Sequence, residues 1–424
     1  MPHRHLPVCP DLDQLKHQAR DLLRAFHAGH SNAIAELEEF HPHPPAPADT
    51  KLADAQLVLA RSYYASSWTR LAQAVDLVRA IWADDLYTVQ GLVRANPDLI
   101  HQDALIRKGS NWGPPMTYAA NVGRDNIIRM LDRMGARDHR SALGRATLQG
   151  QIRTARMLHE MLGKPTPPDG ALGGAAYTLS VEGTAVVFEF GYTRMYDDDG
   201  NLLAPVETVL QTDGRNPEAK HRILEMYVDR GVRLPDTPPF ALHRGRIDLL
   251  EEHLRRDPGM PARTWSHRDI YPEELLCGPP GNATVGTPLG GTTLLHMCVE
   301  FDEMEIARWL IAKGADVNAK SAVGRSGFGG YTPLFNTVVS QPNFWMNHRQ
   351  RGPFDAPFTE LLLEHGAAPN VRASIWKSLH EGHGDPTRHD YRNVTPLSWG
   401  RRFHAPIFVS EPAMKLIREA GGME

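Results

Sequence analysis

The sequence of 424 residues predicts an all-α fold, a helical solenoid of about nine degenerate repeats behind an N-terminal cap. Three segments support this prediction, because each opens on a threonine and closes on a glycine, at 293–314, 332–366 and 395–421. Apolar residues between these markers recur at helical spacing, as Ile306, Leu310 and Ile311 show. The chain is longer than one globular core usually allows, but a solenoid has no such limit because each unit packs only on its neighbours.

The residues at the segment ends have a physical role. A threonine before a helix can accept a hydrogen bond from a backbone N–H of the first turn, and losing such a cap costs about 1 kcal/mol. We therefore expect Thr332 to cap the helix that follows it. Proline is tolerated in the first turn, as at Pro333 and Pro396. A glycine after the second helix supplies the left-handed residue that ends it, as expected at Gly314.

One stretch carries a family resemblance. Residues 291–318 read GTTLLHMCVEFDEMEIARWLIAKGADVN, and this resembles an ankyrin repeat, with 293–296 standing where that family has T-P-L-H. The stretch LADAQLVLAR…SSWTRL resembles a leader of bacterial ankyrin-repeat proteins. The resemblance implies a binding protein. It also implies that His296 hydrogen-bonds between repeats and that Cys298 is a small buried hydrophobe.

The chain divides into three predicted regions. Residues 1–75 hold helices within 11–40 and from 51 onward, separated by a proline-rich link, and are expected to cap the first repeat. Residues 76–258 hold degenerate repeats, and residues 259–424 hold clear ones with long insertions. The predicted degenerate repeats are 77–100, 112–137, 140–163, 170–192, 204–233 and 238–258, and the clear repeats begin near 291, 331 and 394.

Composition excludes several classes of protein. A net charge of −4 argues against a nucleic-acid partner. Three cysteines fit neither a disulfide framework nor a zinc spacing. The N-terminus lacks the apolar core of a signal peptide, and no run approaches the roughly 20 apolar residues that a membrane span needs. We expect a cytoplasmic protein without membrane contact. No phosphate-binding or dinucleotide fingerprint is present, so no cofactor is expected.

Three insertions, at 259–290, 320–331 and 371–394, interrupt the clear repeats. Thr293 and Thr332 are 39 residues apart and Thr332 and Thr395 are 63 apart, against a period of about 33. Loops this long are usually functional or disordered, and their aromatic content argues against disorder. All three precede the first helix of a repeat, so we expect them to project from the same side. They either roof one ligand pocket or simply pack on one another as solvated loops.

These insertions contain the candidate site residues. Catalytic candidates are His380, His383 and Asp385, because histidine titrates near neutral pH and needs only a neighbour to tune it. A metal site is not expected there, since the spacing is not H-E-x-x-H and two glycines disfavour the necessary helix. The ligand-binding candidates are Trp265, His267, Tyr271, Arg325, Tyr331, Trp376, Arg388 and Tyr391.

The sequence leaves more than one function open. Family resemblance favours recognition of a protein partner or small polar ligand on the concave, loop-bearing face. The alternative is an enzyme, a hydrolase or lyase acting on a small polar molecule or sugar, with its active site in the C-terminal loops. A toxin-like effector or its immunity partner is a third class, which the sequence does not distinguish from the other two.

Overall fold

The computed structural model describes residues 4, 6–7, 9–106, 112–212, 214–278, 286–339, 355–379 and 387–424. Contacts divide the chain into two compact units, Met1–Pro167 and Pro168–Glu424. Both are built from short α-helices, which confirms the all-α, ankyrin-like solenoid. The predicted region boundaries after residues 75 and 258 lie inside these units. None of the described helices is long and apolar enough to cross a membrane.

The first unit begins with three helices that precede its helix pairs. Asp11 starts the first helix by accepting a hydrogen bond from the Gln14 N–H at 2.9 Å, and Ser67 starts the fourth by accepting one from Arg70 at 3.2 Å. The helices are α1 (Leu12–His27), α2 (Ser31–Phe40), α3 (Leu52–Ser62), α4 (Trp68–Trp82), α5 (Leu86–Ala95), α6 (Pro115–Asn121), α7 (Asp125–Arg133), α8 (His139–Leu148) and α9 (Ile152–Met161). The pairs α6/α7 and α8/α9 lie at the predicted repeats 112–137 and 140–163, whereas α4, which pairs with α5, begins at Trp68, ahead of the predicted repeat 77–100.

The second unit is also built from short helix pairs, and its described residues include a two-stranded sheet. Its helices and strands are α10 (Gly173–Tyr177), α11 (Val181–Glu189), α12 (Val206–Gln211), α13 (Pro217–Val228), α14 (Pro238–His243), α15 (Ile247–Arg256), α16 (His267–Ile270), α17 (Leu294–Phe301), α18 (Met304–Ala312), α19 (Pro333–Val338), α20 (Pro357–Glu364), β1 (Ala373–Lys377), β2 (His389–Val394), α21 (Pro396–Arg402) and α22 (Glu411–Glu419). The first helices α17, α19 and α21 stack in succession, each paired with the helix that follows it. One continuous apolar core runs through this unit.

The repeat residues behave as predicted, except at Thr332. Gly314 has φ +90°, the left-handed conformation expected of a helix terminator. The Thr395 hydroxyl accepts a hydrogen bond from the Ser398 N–H at 3.2 Å and therefore caps α21. The predicted cap at Thr332 is wrong. Its buried hydroxyl has no hydrogen-bond partner among the described residues.

His296 joins neighbouring repeats, as the resemblance implied. One ring nitrogen, Nε2, lies 3.1 Å from the Tyr331 carbonyl, and the other, Nδ1, lies 2.9 Å from the Thr293 hydroxyl. Since a carbonyl only accepts, Nε2 carries the proton and Nδ1 accepts. Burial lowers the pKa of His296 to about 4, so the ring is neutral near pH 7. Cys298 is fully buried in the same helix, also as expected.

The third insertion contains secondary structure that the sequence analysis did not predict. Strands β1 and β2 pair antiparallel, with Ile375 opposite Tyr391 and Lys377 opposite His389. Alternate residues of β1 are buried, as in a strand with one face inward. The sequence ASIWK does not show this period, because Lys377 takes an inward position and Trp376 an outward one. The second insertion joins β1 through Gly329, whose N–H donates to the Ser374 carbonyl at 2.7 Å. A side chain at residue 329 would collide with the Ala322 carbonyl, so this contact requires glycine.

Candidate functional site

A cavity of about 230 Å³ lies where the three insertions meet. The first insertion contributes a helix and a loop, the second a glycine-containing turn, and the third strand β1. The lining residues are His267, Tyr271, Pro288, Leu289, Gly290, Ala322, Phe328, Gly329, Tyr331, Ser374, Ile375, Trp376, Lys377 and Ser378.

The first insertion is anchored at both ends, and this positions His267 and Tyr271. Trp265 exchanges backbone hydrogen bonds with 291–292, at 2.8 Å to the Thr292 carbonyl and 2.7 Å from the Gly291 N–H. A reciprocal cap then starts α16, with the Ser266 N–H donating to the Asp269 carboxylate at 2.7 Å. Because α16 is short and fixed by this cap, the side chains at its two ends face the cavity together.

Tyr331 connects the cavity to the repeat core. Its hydroxyl donates to the Pro288 carbonyl at 2.8 Å, and this bond ties the second insertion to the first. Its ring lies edge-on to His296, with 6.0 Å between the ring centroids. The residue after Tyr331 precedes α19, so the cavity floor is held by the same stack that forms the repeats.

Aromatic rings and arginines form the wall on the side of the β-hairpin. The Arg388 guanidinium lies 4.9 Å from the ring centroid of Trp376 and 5.1 Å from that of Phe328. Arg392 lies 4.3 Å from the same Phe328 ring. Asp390 pairs with Arg388 at 2.8 Å and with Arg392 at 3.7 Å. The wall therefore combines aromatic faces with two cations and a single carboxylate.

Two polar side chains that line the cavity are deeply buried. Lys377 is 3% exposed, and this burial lowers the pKa of its amine to about 8, although the nearby Glu300 carboxylate opposes the shift. Tyr271 is also 3% exposed, and its hydroxyl has no hydrogen-bond partner among the described residues. Burial raises the pKa of Tyr271 above its ordinary value, so its hydroxyl keeps its proton. These groups can donate hydrogen bonds to a bound molecule.

A buried cluster of charges lies behind Tyr271 and Lys377. Arg215 pairs with Glu300 at 2.8 Å, with side-chain exposures of 6% and 0%. Lys220 pairs with Glu303 at 2.7 Å, and His221 contacts the same carboxylate at 2.8 Å. Charges are almost never buried without partners, because desolvation costs several kcal/mol per ion.

Neither this cluster nor Lys377 was predicted from the sequence. A sequence signal existed for Glu300, because it is the one acidic residue in the largely apolar helix LLHMCVEF. The structure buries that helix throughout, and a buried acidic side chain needs a charged partner. Lys377 occupies an inward position of β1, in register with Ile375. Arg215 and Lys220, which pair with the acidic residues of this cluster, come from a different repeat. No local sequence pattern predicts that pairing.

The structure brings together only some of the predicted ligand-binding residues. His267, Tyr271, Tyr331 and Trp376 line the cavity, and Arg388 stacks on the outer side of its wall. Three others lie elsewhere and do not line it, namely Trp265, Arg325 and Tyr391.

Trp265 and Tyr391 are buried in the core, and Arg325 is exposed. The Trp265 backbone anchors the insertion, and its ring is buried. Arg325 lies in an exposed turn. Tyr391 is buried against Trp399, at 4.7 Å between ring centroids, because its position in β2 faces α21. The catalytic candidates His380, His383 and Asp385 lie outside the described residues. Among the residues that are described, no group of three histidine, cysteine or acidic side chains is placed to hold a metal ion.

Comparison with known protein families finds a match for one segment of the chain. Residues 290–322 match the ankyrin repeat family model. No curated protein matches the chain. Among solved structures, the human ASB11 ankyrin repeat domain is similar at 15% identity and a TM-score of 0.26, covering 73% of this chain and 99% of that one. The stacked helix pairs and the match at 290–322, rather than this likeness, identify the fold.

Proposed function

We propose that this ankyrin-repeat protein is a binding module that recognises its partner through the cavity on its loop-bearing face. The proposal rests on one observation, which is that the three insertions converge on a single cavity. Side chains from 259–290, 320–331 and 371–394 line one cavity, although a complete helix pair separates each insertion from the next. Stacked repeats form extended concave surfaces that bind partners. The family's general role in protein interaction agrees with a binding function.

The cavity dimensions indicate what enters it. A volume of about 230 Å³ is below the range of roughly 300–1,000 Å³ typical of drug-sized ligands. A single side chain of a protein partner, or a small polar molecule, fits this space. Tyr331 and Trp376 supply apolar contact area, and Tyr271 and Lys377 supply polar contacts that orient the bound group.

Substitution of Trp376 tests the proposal. A thermal-shift screen of amino acids, organic acids, sugars and short peptides identifies a ligand, and calorimetry then measures its affinity for each variant. We expect Trp376→Ala to weaken binding at least tenfold with an almost unchanged melting temperature, since Trp376 is half-buried on the surface of a hairpin. The matched control is Trp309→Ala, in α18 and outside the cavity, which should bind normally. Equal affinities in both variants would place the binding site elsewhere.

A second candidate function is catalysis, favoured by the amine of Lys377. A buried amine with a pKa of about 8 is close enough to neutrality to exchange a proton with a bound substrate. This supports the hydrolase or lyase alternative, to which His380, His383 and Asp385 remain candidate contributors. An enzyme would show Lys377→Met still binding the ligand but no longer converting it. A binding module would show no conversion even in the unaltered protein.

We also propose a cellular location and a class of partner. A cytoplasmic location is favoured by three cysteines that fit no disulfide spacing. A protein or a small polar ligand remains the proposed partner, rather than nucleic acid, because the chain is slightly acidic overall.

A further inference from the structure

We infer that the outer face of the β-hairpin binds an acidic segment of a protein partner, whose carboxylates pair with Arg388 and Arg392. This surface, named the arginine face below, consists of Phe328, Trp376, Arg388, Asp390 and Arg392. Its two aromatic rings also line the cavity, so the two surfaces adjoin each other. The inference therefore rests on the proposed function, and it names the chemistry of the partner.

The period of β2 places three charged side chains on one side of the hairpin. Successive side chains of a strand point to opposite faces, so Arg388, Asp390 and Arg392 share a face. All three are exposed, whereas Tyr391 between them is buried. Trp376 lies directly opposite Asp390 in the strand pairing, and it therefore belongs to the same outer side.

Two aromatic rings support the guanidinium groups. The Arg388 guanidinium lies 4.9 Å from the ring centroid of Trp376 and 5.1 Å from that of Phe328. The Arg392 guanidinium lies 4.3 Å from the Phe328 centroid. Phe328 is itself fixed, because the next residue, Gly329, exchanges backbone hydrogen bonds with β1 at 2.7 and 3.2 Å. Stacking restrains both arginines before a partner arrives, so less conformational entropy is lost on binding.

The two arginines keep hydrogen-bond donors and a net positive charge. Asp390 accepts a hydrogen bond from Nε of Arg388 at 2.8 Å. Its other oxygen lies 3.7 Å from Arg392, which is too far for a hydrogen bond. Among the described residues, the terminal nitrogens of Arg388 and the guanidinium of Arg392 have no hydrogen-bond acceptor. Two cations beside one carboxylate leave this face positive and able to receive further carboxylates.

A neighbouring turn adds to this positive charge. Arg325 is exposed in the turn 324–328, which is closed by a hydrogen bond from the Gly324 N–H to the Phe328 carbonyl at 2.9 Å. The whole chain carries a formal net charge of −4, so these cations depart locally from its acidic character. Positive charge beside the cavity steers an acidic segment towards it and orients that segment on arrival.

The same face is poorly suited to nucleic acid. Single strands bind by stacking their bases on aromatic rings, but guanidinium groups already lie against Phe328 and Trp376. Asp390 and the acidic net charge of the chain oppose a dense row of phosphates. A protein segment with spaced carboxylates meets neither obstacle, and it agrees with the role of ankyrin repeats in protein interaction.

Fluorescence anisotropy on the full chain at pH 7 tests the inference. The probe is a labelled short peptide that alternates glutamate with glycine, and the comparison peptide has glutamine in place of every glutamate. We expect the glutamate peptide to bind at least tenfold more tightly than the glutamine peptide. Its affinity should fall as the salt concentration rises, because salt screens exposed charges.

Substitutions on the arginine face locate the effect. Arg388→Gln and Arg392→Gln should each lose at least fivefold in affinity for the glutamate peptide, with a nearly unchanged melting temperature because both side chains are more than half exposed. Arg392→Lys should also lose affinity, since lysine keeps the charge but not the planar fork of donors. Asp390→Asn should bind more tightly, because it removes the competing carboxylate. The matched control is Arg308→Gln, an exposed arginine of α18, which should bind as the unaltered protein does.

Several outcomes would overturn the inference. Equal affinity for the two peptides would do so, as would tighter binding of an oligothymidylate or a phosphoserine peptide. Equal losses in Arg308→Gln and Arg392→Gln would assign the binding to general surface charge. Binding of neither peptide would exclude the acidic partner and leave the proposed function standing. The proposed function fails separately, if Trp376→Ala and Trp309→Ala bind the screened ligand equally well.

Discussion

Replacing Arg215 with methionine should destabilise the second unit more than any comparable change at the surface. With described residues the guanidinium makes four hydrogen bonds. Two go to Glu300, to its backbone carbonyl at 2.7 Å and its carboxylate at 2.8 Å, one to the Thr212 carbonyl at 2.7 Å and one to the Gly214 carbonyl at 3.0 Å. Removing one partner of a buried pair costs about 3–5 kcal/mol, because the other charge stays buried. Methionine fills much of the space, so the loss is mainly electrostatic.

The Glu300 carboxyl limits this cost by taking up a proton. Its ordinary pKa is 4.5, so neutralising it at pH 7 costs about 3.4 kcal/mol, at about 1.4 kcal/mol per pH unit. Burial already raises the pKa of Glu300 in the folded protein, and loss of Arg215 raises it further. The unfolded state then binds fewer protons than the folded state, so the penalty grows as pH rises. We expect the loss caused by Arg215→Met to be about 2 kcal/mol smaller at pH 5.5 than at pH 7.

Hydrogen exchange measured on the amides of α17 reports this loss locally, without assuming that the two units unfold together. The matched control is Arg246→Met, whose partner Asp248 is 60% exposed and whose loss should cost less than about 1 kcal/mol. The double variant Arg215→Met/Glu300→Leu should recover much of the stability, since both charges are gone. A loss below 1 kcal/mol, a loss that does not depend on pH, or a double variant less stable than the single one would refute the reasoning.

Three further outcomes are expected. Thr395→Ala should lower the free energy of unfolding by about 1 kcal/mol, while Thr332→Ala should cost less because its hydroxyl caps nothing; urea denaturation that ranks them in the opposite order would contradict the cap assignment. Gly314→Val should cost about 1–3 kcal/mol from the left-handed backbone alone, because space around it is open, and a melting temperature equal to wild type would exclude that strain. His296 has a folded pKa of about 4 against an ordinary 6.5, so its contribution is complete above pH 6.5 and is lost as pH falls to 4. The free energy of unfolding should therefore change less with pH over that range in His296→Asn than in the unaltered protein. Equal slopes in the two proteins would assign the proton uptake to other groups.

Local patterns determined most of the fold. Threonine and glycine markers, helical spacing and the T-L-L-H tetrapeptide placed the helix pairs, because each repeat is specified by contacts within itself and with its neighbour. Gly314 took the predicted left-handed conformation because that role depends only on the local backbone. His296 bonds to the neighbouring repeat, as expected, because regular stacking brings the Tyr331 carbonyl, 35 residues away, next to its ring. The same logic located the insertions, because they interrupt a regular period.

Only the tertiary structure shows that those insertions form one cavity. The sequence placed His267, Tyr271, Tyr331 and Trp376 in three separate loops, and only the stacking of the repeats between the loops brings them to one cavity. Tyr391 shows the converse, because strand pairing turned it inward against Trp399.

The pairing of the buried charges was equally invisible in the sequence. Arg215 and Glu300 are separated by 85 residues in the chain, and their pairing depends on how successive repeats pack on one another. Thr332 shares its motif with Thr395, but only one of these hydroxyls forms a cap. Sequence patterns record which groups can form a hydrogen bond or an ion pair, and burial with long-range geometry decides which of them do so.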